Sequence, residues 1–385
     1  MTQEARSFED AYRQFTQVRI KHDALIDLKA EIEQVMRLAP YRDNPPCLPI
    51  TGPAGVGKSW LFEWLEEAYR GGDRIEVQLP RRPPVLVKKR EFIWLTFSQN
   101  PTLKDLAESV LILYGDPHPH QGDVAEKTHR IDHFIQLCGT KAWFLDECQY
   151  LVDREGVVVM ENIINWLRDR SSRTARKKLD HGDATGIALF MFGLGRIDYA
   201  LLQDPQVERR FQTSLRLEPF ATQGASWDQF RSVVLALADH LPIPLAADIM
   251  IDEERAGSQN DIESIDLNFR RFHYATWGII GRLSVFLQNA VRLADRRRLQ
   301  SIDLALLAEA FSREVNTSKN KFVLLNPAAT AAPFENMQNP FLPSFDRYLP
   351  PPPLPDDRDL LPIAQKRRKT KKENRAQLAQ AFKRA

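Results

Sequence analysis

Gly52-Pro53-Ala54-Gly55-Val56-Gly57-Lys58-Ser59 matches the phosphate-binding loop pattern G-x-x-x-x-G-K-[ST] in full. Short apolar residues precede it (Cys47, Leu48, Ile50) and a helix-like run follows (Trp60-Leu61-Phe62-Glu63-Trp64-Leu65), so the strand, loop and helix that the pattern needs are all present. Gly52, Gly55 and Gly57 accept backbone angles that a side chain forbids, which turns successive N–H groups inward as an anion nest at a helix N-terminus. Lys58 is then expected to reach the β- and γ-phosphates and the Ser59 hydroxyl to ligate Mg²⁺. The segment expected to hold the nucleotide is Gly52, Pro53, Ala54, Gly55, Val56, Gly57, Lys58, Ser59 and Trp60.

The rest of the composition sets bounds. A chain of 385 residues is long enough for two domains with appendages, and 43% hydrophobic and 27% charged residues are ordinary globular values. A net charge of +2 says little about partners, because distribution matters more than the total. Cys47, Cys138 and Cys148 have neither metal-ligand spacing nor an even count for a disulfide framework, which suits a reducing cytoplasm. No stretch approaches 18 uncharged apolar residues and the first residues carry no apolar signal core, so a soluble, cytoplasmic protein without a membrane partner is expected.

In chain order, residues 1–45 read as a helical segment packing on the nucleotide domain: Phe8, Tyr12 and Phe15, then Leu25, Leu28, Ile32, Val35 and Met36, recur at helical spacing. Arg19-Ile20-Lys21-His22 is placed to wrap the adenine edge of the site. Residues 81–90, with Arg81, Arg82, Lys88, Lys89 and Arg90 around an apolar middle, read as a loop or ribbon before the strand Phe92–Phe97, either a solvated charge run or a DNA-phosphate surface. Pro101-Thr102 starts a helix, and the loop after it holds His118 and His120 without a third metal ligand.

Ala142-Trp143-Phe144-Leu145-Asp146-Glu147 is the second chemical motif, an apolar strand ending in two acids. In phosphate-loop ATPases the first acid of such a pair serves Mg²⁺ and the second polarises the attacking water, roles that Asp146 and Glu147 fit. The basic run Arg168–Lys178 reads as a DNA-facing channel, an intersubunit edge or a solvated loop. Arg209-Arg210 suit an arginine finger offered to a neighbouring subunit's γ-phosphate, or else a helix C-terminus that favours cations. From Ser226 the pattern is wholly helical, with helices expected over 266–275, 279–295 and 303–315, the last capped by Ser301 or Asp303. Arg282 in the middle helix is a candidate to reach the bound triphosphate. Beyond residue 318 the prolines and the basic run Lys366–Lys372 predict an extended, disordered tail that orders on DNA or a partner.

This order of motifs resembles an AAA+ ATPase: an α/β parallel-sheet domain (46–222), a small helical lid domain (223–318) and a tail (319–385). The finer likeness is to the TnsC/TniB ATPases that regulate target choice in bacterial transposons. Its carriers are Val18–His22, the GPAGVGKS loop, LTFSQNPTL (95–103), WFLDECQYL (143–151), FGLGRIDYALLQDPQVERRF (192–211) and WGIIGRLSVFLQNAV (277–291). The resemblance implies ATP and Mg²⁺ as cofactors, ring or filament assembly on double-stranded DNA, and a signal from a TniQ/TnsD-type selector, sometimes with a CRISPR effector. It also implies recruitment of a TnsB/TniA-type transposase through the tail, with TnsA a further candidate. Residue by residue, Lys58 and Ser59 bind triphosphate and metal, Asp146 and Glu147 are the metal and catalytic acids, Arg209 or Arg210 the finger and Arg282 the second sensor. DNA contacts fall to Lys88, Lys89, Thr102 and Lys104, with Arg81 and Arg82 as outliers. One departure stands out: the turn after the fourth core strand is Gly193-Leu194-Gly195, where relatives carry a polar residue, and slow hydrolysis is the expectation. The rival readings are another AAA+ DNA remodeller, such as a replication initiator or helicase loader, and an ATP-gated scaffold with little hydrolysis.

Overall fold

The computed structural model describes residues 7–42, 45–78, 84–99, 101–151, 157–172, 186–195, 197–198, 214–249, 259–325, 337–346 and 349. They fall into two compact units. A sheet unit takes Ala24–Pro53 and Gly57–Leu217; a helical unit takes Ala54–Val56 with the described residues up to Asp23 and from Glu218 on.

The chain begins with α1 (Phe8–Thr16) and α2 (Asp23–Leu38); in the sheet unit, β1 (Cys47–Thr51) then leads through the phosphate loop into α3 (Lys58–Tyr69). An antiparallel ribbon of β2 (Arg74–Val77) and β3 (Val85–Lys88) precedes β4 (Phe92–Thr96). Next come α4 (Leu103–Tyr114), α5 (Val124–Cys138), β5 (Ala142–Asp146), α6 (Val157–Ser171), β6 (Ala188–Gly193) and the short β7 (Leu215–Arg216). The main sheet has the order β4-β5-β6-β1-β7, and every pairing in it is parallel. Every residue of β1, β5 and β6 is buried, as expected of central strands covered on both faces. The ring of Phe144 on β5 stacks between Trp94 at 3.9 Å and Phe190 at 4.7 Å, and Phe62 of α3 sets its edge on Trp94 and Phe192. This aromatic packing fixes the level at which β5 ends and releases Asp146. Because β6 lies between β1 and β5 while β7 pairs on the far side of β1, the strand order reverses at β1, and open parallel sheets bind ligands at the carboxyl ends beside such a reversal.

Local chemistry explains the helix ends. Thr102 caps α4 by accepting from the Asp105 N–H at 3.1 Å, Asp123 and Glu126 form a reciprocal capping box on α5, and Gly115 and Gly139 close these helices in the left-handed conformation. Asp303, rather than Ser301, accepts from the Leu306 N–H at 2.8 Å and starts the last helix.

The helical unit consists of α1, α7 (Gly224–Ala238), α8 (Gln259–Thr276), α9 (Ile280–Arg296) and α10 (Leu304–Leu325). Its core joins Phe15 of α1 to Phe220, Trp227, Phe230, Phe272, Phe286 and Phe311. The segment 1–45 is therefore divided. Phe8, Tyr12 and Phe15 of α1 pack into the helical unit, whereas Leu25, Leu28, Ile32 and Met36 of α2 are buried in the sheet unit.

The last helix runs past residue 318, where the lid was expected to end. It is described as helix as far as Leu325. Residues 337–346 then pack against the helices: Phe341 is 3% exposed, stacked on Phe286 at 5.3 Å and edge-on to Phe272 at 5.5 Å. Asn339 holds this turn in place, its amide donating to the Ala308 carbonyl (2.7 Å) and Ser312 hydroxyl (3.0 Å) while its Oδ1 accepts from the Phe341 N–H. Prolines do not prevent a packed element when an Asn-Pro turn delivers one aromatic ring to a groove. The remainder of the tail, from residue 350, lies outside the described residues.

Candidate functional site

At the end of β1 the chain enters the loop at Gly52 (φ 155°) and leaves it at Gly57 (φ 108°), the left-handed residue before α3. A Cβ at Gly57 would lie 3.3 Å from Leu25 Cδ1 as well as being conformationally strained, so only glycine turns the chain here. Lys58 is 8% exposed, and its ammonium donates to the carbonyls of Gly52 (2.8 Å) and Pro53 (2.7 Å), which holds it on the loop. Ser59 is exposed at the first turn of α3, where backbone N–H groups have no intrahelical acceptor.

Two strands away, β5 ends at Asp146, 9% exposed, whose Oδ1 accepts from the Glu147 N–H at 2.8 Å. Burial pushes the Asp146 carboxyl above the usual carboxylate range, and the charges of Glu147 and Glu63 push the same way, against the Glu147 N–H and the Lys58 ammonium. A buried carboxylate with further carboxylates near it is relieved by a cation. Ser59 and Asp146 therefore fit Mg²⁺, with the other coordination positions left to phosphate and water oxygens, as is usual for that ion. Among the described residues no cluster of three or more His, Cys, Asp or Glu side chains forms a metal cage. Cys148, fully buried beside the two acids, has its thiol pushed well up by burial and is inert.

Glu147 has φ 58°, a left-handed conformation that is strained for a residue with a side chain. Its carboxylate accepts a hydrogen bond from the Gln149 side-chain amide. The other end of that amide, Oε1, accepts from the Leu194 N–H at 3.4 Å. Gln149 was not singled out from the sequence. Its meaning comes from β5 and β6 being neighbours, and nothing in Asp-Glu-Cys-Gln marks it.

In the helical unit, Gly55 (φ 87°) accepts from the Gly281 N–H at 2.9 Å, and a Cβ on Gly55 would lie 3.2 Å from Ile279 Cγ2 and 3.8 Å from the Arg282 nitrogen. The first turn of α9 thus lies against the middle of the phosphate loop. The Arg282 guanidinium lies over the Trp277 ring at 4.5 Å, and its charge lowers the carboxyl of Glu314, which burial raises overall. His22 is 7% exposed, packs edge-on to Phe220 at 5.0 Å, and has no hydrogen-bond partner for either ring nitrogen among the described residues. Burial lowers its pKa to about 4, against a smaller raising effect of Asp23.

The basic candidates separate. On the ribbon, Arg74 and Lys88 are cross-strand partners with exposed side chains, and Lys88 donates to the Arg70 carbonyl at 3.1 Å. Lys89 is paired with Glu91 at 3.0 Å, the Thr102 hydroxyl is engaged in its helix cap, and Lys104 is 61% exposed, 3.9 Å from Glu108. Arg170 of the second basic run is buried and ion-paired with Asp132 at 2.8 Å, so that member braces α6 on α5 and lines no channel. His120 pairs with Glu108 at 2.8 Å. Arg81, Arg82, Arg209 and Arg210 lie outside the described residues.

Residues 42–196 match the family model of an AAA domain. The match spans the phosphate loop, both acids and the turn after β6. The parallel sheet and the helical unit that follows it make the fold that of AAA+ phosphate-loop proteins, and AAA domains as a class bind and hydrolyse nucleoside triphosphates. Among solved structures, the ORC1 protein of Aeropyrum pernix in complex with DNA is similar at 15% identity, over 84% of this chain and 73% of that one, with a TM-score of 0.50. The A. pernix ORC2 protein in ADPNP–ADP complexes (14% identity, 81% and 76% covered, TM-score 0.48) and Cdc6p of Pyrobaculum aerophilum (14%, 81% and 76%, 0.49) are also similar. At such identities the likeness is one of fold. No curated protein matches the sequence as a relative. No helix among the described residues is long and apolar enough to cross a membrane.

Proposed function

We propose that the protein is an ATP-dependent, DNA-binding AAA+ regulator of DNA transposition that assembles on duplex target DNA and engages a transposase, with ATP hydrolysis driving disassembly. The observation that carries the ATPase part is the end of β5. Buried Asp146 senses the Lys58 charge, and the strained Glu147 follows it directly. In this reading the phosphate loop holds the triphosphate, Ser59 and Asp146 hold Mg²⁺, and Glu147 polarises the attacking water. Arg209 or Arg210 of a neighbouring subunit and Arg282 complete the charge around the γ-phosphate. The ribbon, with exposed Arg74 and Lys88, supports a surface for DNA phosphates. The transposition part rests on the resemblance of the quoted segments to TnsC/TniB proteins, and the tail beyond residue 350 is the element assigned to transposase.

The deciding experiment images the protein on duplex DNA with ATP, ADP and a slowly hydrolysed analogue. Rings or filaments are expected only with the triphosphates, absent for Lys58→Ala and persistent for Glu147→Gln. Equal DNA binding with and without ATP in both variants would sink the scheme. A second reading, an AAA+ DNA remodeller of the replication-initiator kind, is favoured by the fold likeness to ORC1, a protein solved on DNA. Stimulation of the ATPase by a co-purified transposase separates the two, since an initiator would not respond.

A further inference from the structure

The turn after β6 presents Leu194 where an AAA+ site is expected to carry a polar side chain. The structure supplies a polar group to that place from the neighbouring strand. Gln149 lies in the short 3-10 turn Cys148–Leu151 and is 7% exposed; it donates its amide to Glu147 and accepts from the Leu194 N–H through Oε1. The approach depends on Gly193: a Cβ there would stand 2.7 Å from Gln149 Oε1, 3.2 Å from the Gln149 nitrogen and 2.2 Å from Ile197 Cδ1. A buried primary amide whose donor and acceptor ends are both taken up has one orientation. The donor end meets a carboxylate, and such charge-assisted bonds are roughly twice as strong as neutral ones. The strap therefore joins the two strand ends that flank the reaction centre and fixes Glu147 Oε2, leaving Oε1 as the oxygen available to a water.

We propose that Gln149 is a positioning residue for Glu147, doing from the β5 side what a polar side chain at Leu194 would otherwise do. This rests on the reading of Glu147 as the acid that polarises water. Its effect is expected in the chemical step, because among the described residues the hydrogen bonds of its side chain go to Glu147 and Leu194. A residue that only filled space would lower stability and nucleotide affinity alike.

The test uses the full chain with duplex DNA. It measures affinity for a fluorescent ATP analogue, melting temperature, and kcat and KM for Gln149→Ala, Gln149→Glu, Glu147→Gln and the double variant Gln149→Ala with Glu147→Gln. Gln149→Ala is expected to lower kcat on the order of 10–100-fold, part of the roughly 10²–10⁴-fold that a positioned general base contributes, with nucleotide affinity held within about twofold. Gln149→Glu keeps the shape of the side chain, replaces the donor by a like charge, and is expected to lose at least as much. On the Glu147→Gln background the second substitution is expected to add nothing, because both act on one group. Additive losses, a loss of nucleotide affinity in both Gln149 variants, or a faster Gln149→Ala enzyme would overturn the proposal. If Glu147→Gln itself retained full turnover, the reading of Glu147 would fail and this proposal with it. If Glu147→Gln is dead while Gln149→Ala is unaffected, the proposal alone fails.

Discussion

Replacing Phe341 by Ala tests whether the segment after the last helix is structural. The ring is 3% exposed and lies among Phe286, Phe272 and Phe311 at centroid distances of 5.3, 5.5 and 6.4 Å. Truncating a phenylalanine buried to this degree costs about 3–5 kcal/mol when the surroundings stay in place. Here the surroundings can yield, because the turn is held otherwise by Asn339 and the Gln338 N–H to Tyr274 and can detach as a piece. The loss is then limited to the net docking energy of the segment, and the lower end, about 3 kcal/mol, is expected. For a unit of this size that lowers the melting temperature by roughly 6–12 °C. Truncation after Leu325 should cost about the same, since it removes the same anchor. Leu342→Ala, at a side chain 45% exposed, should shift it by less than about 2 °C. The assay is thermal unfolding by circular dichroism alongside limited proteolysis, with new cleavage expected between Asn339 and Leu349 in Phe341→Ala. An unchanged melting temperature together with an unchanged cleavage pattern would refute the packing argument.

Three further outcomes are expected. His22, with its folded pKa lowered to about 4 from 6.5, binds fewer protons folded than unfolded, so its contribution is present above pH 6.5 and is lost as pH falls from 6.5 through 4. This amounts to about 3 kcal/mol at most, and denaturant titrations at pH 7.5 and 4.5 should show a smaller acid loss in His22→Leu than in the parent. Gly193→Ala should destabilise by about 1–3 kcal/mol through overpacking against Gln149 and Ile197, and should depress turnover beyond what the stability loss explains. DNA affinity should fall steeply with salt, with Lys88→Ala reducing the log–log slope by about 0.9 if that side chain meets a phosphate, and an unchanged slope removing it from the interface.

What could be read in the sequence was what local chemistry dictates. The phosphate loop needs glycine at fixed positions because backbone angles do, and the Asp146-Glu147 pair needs to end an apolar strand because the acids must emerge from a buried sheet. Both are short-range requirements and leave a signature in adjacent residues. Gln149 leaves none, because its partner at Leu194 comes from a different strand. Arg170 reads like its basic neighbours until Asp132 of α5 is seen to neutralise it. The turn at Phe341 was hidden for another reason. Proline density excludes helices and central strands, but it does not bear on whether a turn can insert a single ring among side chains of three helices.

Glu147 is held at φ 58°, where glycine or asparagine would rest at less cost. For folding alone, Glu147→Gly would relieve strain of about 1 kcal/mol, set against the hydrogen bond that the buried Gln149 amide gives the carboxylate. If Glu147 polarises the attacking water as proposed, the strain at this position is kept for the chemistry and not for the fold.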